Sequence, residues 1–356
     1  MENQKKTIIL TGGGSAGHVT PNLALVPGLL SHDIDVHYVG TADGIEKTLV
    51  HDIPFHAISA GKMRRYASVK NVTDIFKIFK GVKEAKRILK ELKPDLVFAK
   101  GGFVSVPVVW AAAKLKIPVI LHESDYTPGL ANRLCIKKAQ KICLSFDTDD
   151  QRSGRSILTG SPIRRDLLGG DRASGLMRLK FNGSKPVLLI MGGSLGAQAI
   201  NDVVDAAIAP LCERYDIVHL RGKGKLNPEL ESNESYRQYE YMEDGLPDVF
   251  AAADIALSRS GANAIFEFLA LRLPALLVPL PLSASRGDQI LNAQYFAKRG
   301  YARVLEQENL TAQSLPDALF SLDAHRNEMI EAMRNSKEAD GTANVLSVIL
   351  ESMGVK

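Results

Sequence analysis

The stretch IILTGGGSAG, residues 8–17, has the pattern of a buried β-strand that runs into a glycine-rich turn. The stretch VLLIMGGSLG, residues 187–196, repeats this form about 180 residues later. A short hydrophobic strand, a tight glycine turn and a helix, in that order, open the α/β domains of the Rossmann type. We therefore predict two Rossmann-like domains that face each other across a cleft, with ligands at the carboxyl ends of parallel strands.

Around these two stretches, short β-branched runs alternate with helical patterns, which is typical of parallel sheets covered by helices. We expect an N-terminal domain over residues 1–163, a C-terminal domain over 164–340, and a helix within 341–356 that packs back toward the first domain. The polar, glycine-containing stretch from Arg164 to Lys185 shows no strand pattern and is predicted to be a linker.

The predicted strands are Thr7–Thr11, Asp35–Val39, Asp95–Phe98, Pro118–Leu121, Lys141–Leu144, Ser156–Leu158, Val187–Met191, Asp216–Leu220, Asp254–Ser258 and Ala275–Val278. The predicted helices are Pro21–Leu30, Val69–Leu92, Val106–Lys114, Gly129–Ala139, Ala197–Leu211, Ala262–Leu271 and Gln289–Lys298.

Composition is typical of a soluble globular protein. The 356 residues are 45% apolar and 24% charged, which excludes the disordered, collagenous and disulfide-scaffold classes. The three cysteines, an odd number without metal-ligand spacing, are expected to be reduced thiols. No window approaches the roughly 20 apolar residues of a membrane span, and the N-terminus lacks a signal-peptide core. We therefore expect a cytosolic protein.

Positive charge is concentrated between Lys62 and Lys93, where eleven Lys and Arg face three acidic residues within a chain of net charge +4. Apolar residues alternate with the lysines of the Lys70–Arg87 segment, so an amphipathic helix is predicted there. Two interpretations are open: the segment docks on an anionic membrane surface, or its apolar face packs into the core and its lysines are simply solvated. Nucleic acid is not expected as a partner, because the segment offers little aromatic stacking surface.

The first glycine loop fits the dinucleotide pattern G-x-G-x-x-G through Gly12, Gly14 and Gly17. A dinucleotide site also needs an acid at the end of the second strand, and the nearest one, Asp43, lies beyond that strand in a loop. Backbone N–H groups that face an anion are the favoured interpretation, beside a purely structural turn. His18 follows the loop, either as a general base or as a structural hydrogen-bonding residue.

The second glycine loop also matches the nucleophile elbow G-x-S-x-G with Ser194 in the serine position, so a hydrolase is an alternative. The only downstream histidines, His219 and His325, fall in a predicted strand and a charged helix, which favours a phosphate cradle instead. Residues 258–263 join a strand to a helix and would place N–H groups where a diphosphate could dock. Glu267, on an otherwise apolar helix, either meets a partner arginine or binds the hydroxyl pair of a ligand.

Seven motifs follow one another through both halves: GGSAGHVTP (13–21), GGFVS (101–105), HE (122–123), GSPIR (160–164), GGSLGA (192–197), SGANAIFE (260–267) and DQILNA (288–293). Together they resemble the MurG family of lipid-II-forming N-acetylglucosaminyltransferases. The resemblance implies a GT-B fold and an inverting, metal-independent transfer of N-acetylglucosamine from UDP-N-acetylglucosamine to undecaprenyl-diphospho-N-acetylmuramoyl-pentapeptide, lipid I. It also implies a peripheral location at the cytoplasmic face of the cell membrane, in peptidoglycan biosynthesis.

The resemblance also implies roles for individual residues. Ser15, Ala16 and Gly17 would lie where acceptor and donor meet, with His18 as catalytic base or proton relay, and Asp125 would lie on the acceptor side. The implied donor residues are Arg164 and Ser194 at the diphosphate and sugar, Met242 at the uracil, Ala262, Asn263, Ala264, Ile265, Phe266 and Glu267 around the nucleotide, and Asp288 and Gln289 at the donor sugar. Glu267 would take the ribose hydroxyls.

The sequence departs from the family pattern at two places, because Ser15-Ala16 stand for Thr-Gly and Asp125 stands for an Asn. An ionised carboxylate, unlike an amide, donates no hydrogen bond, so acceptor handling is expected to differ. No metal and no cofactor are expected. The expected partners are UDP-N-acetylglucosamine, an undecaprenyl-linked acceptor and an anionic membrane surface. A diacylglycerol glycosyltransferase of the same clan and a UDP-N-acetylglucosamine epimerase are the alternatives.

Overall fold

The computed structural model describes residues 5–61, 69–148, 154–193, 196–242 and 244–355, without the side chains of residues 69–73 and 75. The chain forms two compact units. Unit 1 comprises residues 1–164 together with 340–356, and unit 2 comprises residues 165–339.

Unit 1 is built on one parallel sheet. Its strands are β1 (Thr7–Thr11), β2 (Asp35–Gly40), β3 (Phe55–Ala57), β4 (Leu96–Ala99), β5 (Val119–Glu123), β6 (Lys141–Leu144) and β7 (Ser156–Leu158). They lie in the order β3-β2-β1-β4-β5-β6-β7. The strand order therefore reverses at β1, and the loops after β1 and β4 leave the sheet side by side, where ligands bind in sheets of this type.

Five helices of unit 1 follow these strands: α1 (Thr20–Ser31), α2 (Ile45–Leu49), α3 (Val69–Leu92), α4 (Ser105–Lys114) and α5 (Leu130–Cys135). Successive side chains of a strand point to opposite faces of the sheet. Ile9 of β1 packs with residues of α3, α4 and α5 on one face, and Ile8 packs with residues of α1 on the other. Both faces of the sheet are therefore buried, which explains its continuous hydrophobic strands.

Unit 2 has a second parallel sheet. Its strands are β8 (Val187–Met191), β9 (Asp216–Leu220), β10 (Tyr236–Tyr239), β11 (Ile255–Ser258), β12 (Ala275–Leu277) and β13 (Ala302–Val304), in the order β10-β9-β8-β11-β12-β13. The reversal now falls at β8, so the repeated strand-and-glycine-turn motif occupies the same place in both sheets. Its helices are α6 (Arg172–Leu179), α7 (Gln198–Ala206), α8 (Ile208–Arg214), α9 (Leu246–Ala252), α10 (Ala262–Leu271), α11 (Asp288–Lys298), α12 (Ser314–Ala324) and α13 (Arg326–Arg334).

The chain then returns to unit 1 as α14 (Gly341–Met353). Val345 and Ile349 are fully buried in the same core as Ile8 and the apolar residues of α1. The Thr342 hydroxyl also donates to the Ile163 carbonyl oxygen at 2.8 Å and accepts from the Ile163 N–H at 2.9 Å. Thus α14 supplies part of the core of unit 1.

The predicted linker between Arg164 and Lys185 was wrong, because this stretch contains α6. The Asp171 carboxylate caps that helix by accepting a hydrogen bond from the Ser174 N–H at 2.8 Å. A Cβ on Gly175 would lie 2.1 Å from the Asp248 carbonyl oxygen of α9, so the glycine lets the two helices approach closely. The sequence looked polar because only one face of a short helix is buried. The predicted helix Ala197–Leu211 is likewise two helices, separated at Ala207.

Candidate functional site

A buried carboxylate supports the glycine turn after β1. Glu46 of α2 is fully buried and accepts hydrogen bonds from the Gly14 N–H at 3.1 Å and from Thr41, through its N–H at 3.0 Å and its hydroxyl at 2.6 Å. A Cβ on Gly13 would lie 2.6 Å from the Glu46 carboxyl carbon, which explains the glycine there. Sequence reasoning missed Glu46, because a single acid in a polar stretch looks like a solvated loop residue.

His18 is half-buried at the end of this turn, in the single 3-10 turn Ala16–His18. Its Nδ1 lies 3.2 Å from the Gly13 carbonyl oxygen and 3.0 Å from the Ser15 hydroxyl. A carbonyl oxygen only accepts hydrogen bonds, so the contact with Gly13 favours the neutral tautomer that carries its proton on Nδ1. The structure therefore gathers Ser15, Ala16, Gly17 and His18 in one turn.

The loop after β4 packs directly against that turn. Gly101 and Gly102 have φ angles of +104° and +75°, a region that favours glycine. A Cβ on Gly102 would lie 2.2 Å from the Gly13 carbonyl oxygen and 3.2 Å from His18 Nδ1. The two glycine loops thus approach more closely than side chains would allow. They line a cavity of about 550 Å³ together with Asp43.

Buried titratable residues lie beside the Gly101–Gly102 loop, at the ends of β4 and β5. Lys100 is fully buried, and its ammonium donates to the Ser124 hydroxyl. Burial lowers the pKa of Lys100, while the nearby Glu123 and Asp125 carboxylates oppose that shift. His122 donates its Nε2–H to the Gly160 carbonyl oxygen at 3.0 Å. Burial, and then the charge of Lys100, lower the pKa of His122 well below its ordinary value, so this ring is neutral.

Glu123 organises the segment that follows β5. Its carboxyl group accepts hydrogen bonds from the Asn132 side-chain amide at 2.8 Å, the Gly129 N–H at 3.1 Å and the Asp125 N–H at 3.2 Å. Burial raises the pKa of Glu123, and these donors limit the rise. Asp125, named from the sequence, is half-buried at the start of this segment. It therefore lies at the same end of the sheet as His18, on a different loop.

In unit 2, the glycine loop after β8 contacts the backbone of Arg221. Gly193 and Gly196 have φ angles of +85° and +69°, and a Cβ on Gly196 would lie 1.9 Å from the Arg221 carbonyl oxygen. The Asn201 side-chain amide of α7 donates to the same carbonyl oxygen at 3.1 Å. Ser194, named from the sequence, lies outside the described residues.

A buried network holds Arg221 in place. Its guanidinium pairs with both Asp205 carboxylate oxygens, at 2.6 and 2.8 Å, and donates to the Tyr236 hydroxyl at 2.9 Å. His219 Nδ1 lies 2.8 Å from that hydroxyl, and its Nε2 lies 3.0 Å from the Asn201 side-chain oxygen. Burial lowers the pKa of His219 to about 3. Both ring nitrogens are engaged and the ring is neutral, which removes His219 from the hydrolase alternative.

The N-termini of α10 and α11 are tied together beside this loop. Because β11 neighbours β8, residues 259–261 leave the sheet next to the glycine loop. The Ser260 hydroxyl donates to the Gln289 carbonyl oxygen at 2.8 Å, and the Asn292 side-chain amide donates to the Ser260 carbonyl oxygen at 3.2 Å. The Gln289 side-chain oxygen accepts from the Leu280 N–H at 3.1 Å. These hydrogen bonds therefore hold the N-termini of α10 and α11 next to each other.

The other donor residues named from the sequence fall on different segments. In α10, Ala262, Ile265 and Phe266 are buried, whereas Asn263, Ala264 and Glu267 are half-buried. Asp288 begins α11 and forms an ion pair with Arg286, Met242 is buried just after β10, and Arg164 is an exposed residue at the end of the first stretch of unit 1. The structure thus brings α10 and residues 288–289 together.

The basic segment forms α3, and its apolar residues divide between two faces. Val82, Ala85 and Leu89 pack into the core of unit 1, whereas Phe76 and Phe79 are 70% and 62% exposed. The exposed basic residues of this helix include Lys77, Lys80, Lys83 and Arg87. In the described part of the chain, no helix combines the length and apolarity needed to span a bilayer. Over the same residues, no group of three or more His, Cys, Asp and Glu could hold a metal ion.

Comparisons with known proteins agree over nearly the whole length. The family model of the glycosyltransferase family 28 N-terminal domain matches residues 8–144, and that of the family 28 C-terminal domain matches residues 187–345. The chain is 49% identical over 350 residues to the "UDP-N-acetylglucosamine--N-acetylmuramyl-(pentapeptide) pyrophosphoryl-undecaprenol N-acetylglucosamine transferase" of Lachnoclostridium phytofermentans, covering 97% of this chain and 99% of that protein.

The protein of the same name from Shouchella clausii is 51% identical over 344 residues, with 96% of this chain and 97% of that protein covered. Among solved structures, the fold is similar to that of Acinetobacter baumannii MurG. The TM-score is 0.75 at 27% sequence identity, with 98% of this chain and 99% of that chain covered.

Proposed function

Because this chain belongs to the family of the UDP-N-acetylglucosamine--N-acetylmuramyl-(pentapeptide) pyrophosphoryl-undecaprenol N-acetylglucosamine transferases, and has their GT-B fold, we propose how its two units share the reaction. The enzyme transfers N-acetylglucosamine from UDP-N-acetylglucosamine to the lipid-linked muramoyl-pentapeptide acceptor, which forms lipid II for peptidoglycan. Unit 2 holds the UDP-sugar and unit 1 holds the lipid-linked acceptor. The diacylglycerol glycosyltransferase and epimerase alternatives are set aside, because relatives that are 49% and 51% identical in sequence over nearly the full chain carry the name of the N-acetylglucosamine transferase.

The observation that carries this division is the repeated glycine turn at the reversal point of each sheet. Each turn leads toward the start of a helix, where backbone N–H groups and the helix dipole stabilise anions. Donor and acceptor each carry a diphosphate, so two such sites match two anionic substrates. In unit 2 the joined first turns of α10 and α11 would receive the UDP diphosphate, with the half-buried Glu267 on the ribose hydroxyls and Gln289 at the sugar. Ser194, Met242 and Asp288 complete the proposed donor site of unit 2. Arg164, the last residue of the first stretch of unit 1, keeps its predicted role at the donor diphosphate.

His18 is the proposed general base. Its Nε2 would take the proton from the acceptor O4 hydroxyl while that oxygen attacks C1 of the donor sugar. The bond between C1 and the β-phosphate oxygen breaks, its electron pair leaves with UDP, and attack from the opposite face inverts C1. The N–H groups at the start of α10 would stabilise the charge that develops on UDP.

The exposed part of α3 is the proposed membrane contact, which would place the enzyme peripherally at the cytoplasmic face of the membrane. Two exposed phenylalanines between lysines suit a surface with an apolar interior and anionic headgroups. The fixed position of α3 against the core of unit 1 would hold the acceptor unit at the layer that contains its substrate.

The test of the reaction is incubation with UDP-N-acetylglucosamine and a lipid I analogue, with detection of a β-linked disaccharide product by mass spectrometry.

His18→Ala should lower kcat at least about 100-fold at saturating substrates, and a loss of only a few-fold would remove the base role. Glu267→Ala should mainly raise KM for the UDP-sugar, because the ribose contact is lost; an unchanged KM contradicts the ribose assignment.

The membrane contact is tested by co-sedimentation with vesicles that contain anionic phospholipid. The double substitution Phe76→Ser/Phe79→Ser should lower the bound fraction several-fold at moderate salt, because two exposed aromatic rings are lost. Met177→Ser, at a 77% exposed apolar residue of unit 2, is the matched control and should bind as the parent does. Equal binding by all three proteins would reject α3 as the contact.

A further inference from the structure

Lys100 is unusual because it places a charged side chain entirely inside unit 1. Its relative exposure is zero, although it directly precedes the Gly101–Gly102 loop, whose Gly102 lines the cavity. Its N–H donates to the Thr11 carbonyl oxygen at 2.9 Å, which ties it to the end of β1. The side chain therefore starts between the two glycine loops and ends at the Ser124 hydroxyl after β5. A buried ammonium without compensation is strongly unfavourable, so its surroundings must balance the charge.

The groups that interact electrostatically with Lys100 are two carboxyls, one neutral ring and one thiol: Glu123, Asp125, His122 and Cys143. The Glu123 carboxyl is already committed to three donors, which include the Asn132 amide and the Asp125 N–H. Asp125 is the half-buried carboxylate of the group and lies two residues from Glu123. Glu123 and Asp125 therefore both oppose the charge of the Lys100 ammonium, and Asp125 is the more exposed of the two.

The same segment reaches His18 through Asn132. A Cβ on Gly101 would lie 3.5 Å both from His18 Cδ2 and from the Asn132 side-chain oxygen, so the three residues are in close proximity. The Asn132 side-chain oxygen is buried and is among the described polar atoms that lack a hydrogen-bond partner. A movement of the Ser124-Asp125 segment would therefore disturb the hydrogen bond between Asn132 and Glu123, which lies next to the proposed base His18.

We infer that Lys100 is a positioning residue for the acceptor, which holds the Ser124-Asp125 segment in place through the Ser124 hydroxyl and the charge of Asp125. This inference rests on the proposed assignment of the acceptor to unit 1. It also gives a physical reason for the departure of Asp125 from the family's Asn, since an amide there would leave the buried ammonium with one counter-charge fewer. The effects of the two residues should then be coupled, because Lys100→Met removes a positive charge that interacts with Asp125.

The experiment is a double-mutant cycle on the full-length enzyme with Lys100→Met, Asp125→Asn and the combination of the two. KM is measured separately for UDP-N-acetylglucosamine and for a soluble lipid I analogue. Lys100→Met should raise KM for the acceptor about tenfold and leave KM for the donor within about twofold. Asp125→Asn in the Lys100→Met background should return the acceptor KM to within about threefold of the parent. Lys114→Met, at an exposed lysine of the same unit, is the control that should change neither KM.

The inference is overturned if the change in acceptor KM of the double variant equals the product of the changes in the two single variants. It is also overturned if Lys100→Met raises KM for the donor and for the acceptor together. If Lys100→Met does not fold, Ser124→Ala removes the hydroxyl contact alone, and an acceptor KM equal to that of the parent then rejects the positioning role. Urea unfolding of the four proteins of the cycle measures the same coupling without substrate. Lys100→Met should lower the urea concentration at the unfolding midpoint, and the double variant should regain part of that decrease. If the parent forms no disaccharide but the urea experiment still shows coupling, the proposed function and the acceptor role are rejected. The interaction between Lys100 and Asp125 would still be supported in that case.

Discussion

At the scale of single residues, the first glycine turn depends on Glu46. Three donors converge on its carboxylate, and a glutamine would turn an NH₂ group toward at least one of them. Glu46→Gln should therefore lower the free energy of unfolding by about 2 kcal/mol, since one buried donor would be left unsatisfied.

Trp110, the one tryptophan of the chain, lies in unit 1, so its fluorescence during urea unfolding reports on this unit. Glu351→Gln, at an exposed glutamate of unit 1, is the control and should change the unfolding free energy by less than about 1 kcal/mol. Equal effects of the two substitutions would contradict the supporting role of Glu46.

His219 should make unit 2 sensitive to acid. Its pKa in the folded protein is about 3, against about 6.5 in an unfolded chain. Between these values the unfolded chain binds a proton that the folded chain does not, so stability falls as the pH falls below 6.5. Relative to His219→Gln, which does not titrate, the parent should lose about 2 kcal/mol of unfolding free energy between pH 7 and pH 5.

The measurement for this residue is urea unfolding by circular dichroism at both pH values. His325→Gln, at an exposed histidine of unit 2, serves as the surface control. A pH slope shared by the parent and His219→Gln would show that the network around Arg221 does not keep this ring neutral.

Residues that form sequence motifs were predictable, and residues that support them were not. The turn with His18 and the helix with Glu267 follow from short patterns whose chemistry is local. Glu46 contacts Gly14, 32 positions away in sequence, and Arg221 contacts Asp205, 16 positions away, and no sequence pattern marks such contacts. The roles assigned to the motif residues themselves stay predictions until they are measured.

At the scale of elements, the ten predicted strands exist, five with exact bounds and five with ends shifted by one or two residues, and the two parallel sheets were correct. The three missed strands, β3, β10 and β13, all lie at sheet edges. An edge strand buries less of its surface, so its sequence need not be continuously hydrophobic. The amphipathic helix α3 was predicted with its exact bounds. Some of its apolar residues pack into the core, whereas Phe76 and Phe79 are exposed, and its docking on a membrane surface stays a prediction.

The contact of α6 with α9, in the stretch predicted as a linker, gives a test of this element. Gly175→Val would place a branched side chain where even a Cβ lies 2.1 Å from the Asp248 carbonyl oxygen. We expect a loss of about 2 kcal/mol in the unfolding free energy of unit 2, from overpacking. Gly169→Ala is the control, because a Cβ there meets nothing within 4 Å. Equal stability of the two variants, measured by urea unfolding, would mean that α6 is loosely attached.

At the scale of the whole molecule, unit 1 depends on residues that lie beyond unit 2 in the chain. Ile349→Ala in α14 should lower the unfolding free energy of unit 1 by about 3 kcal/mol, because a fully buried side chain is removed from the core. Tryptophan fluorescence should show this loss, whereas the unfolding of unit 2 should be unchanged. Ser347→Ala, on the exposed side of the same helix, should leave both transitions in place. A shift of both transitions by Ile349→Ala would contradict the independence of the two cores.

The return of α14 to unit 1 has a consequence for the order of events on the ribosome. Residues 165–339 emerge before residue 340, so unit 2 can complete its core while unit 1 still lacks one of its core helices. A nascent chain interrupted within or shortly after unit 2 would carry a unit 1 with an uncovered apolar face, which is the kind of surface that chaperones and proteases recognise. Unit 1, which carries the proposed membrane contact, can therefore complete its core only after α14 has been translated.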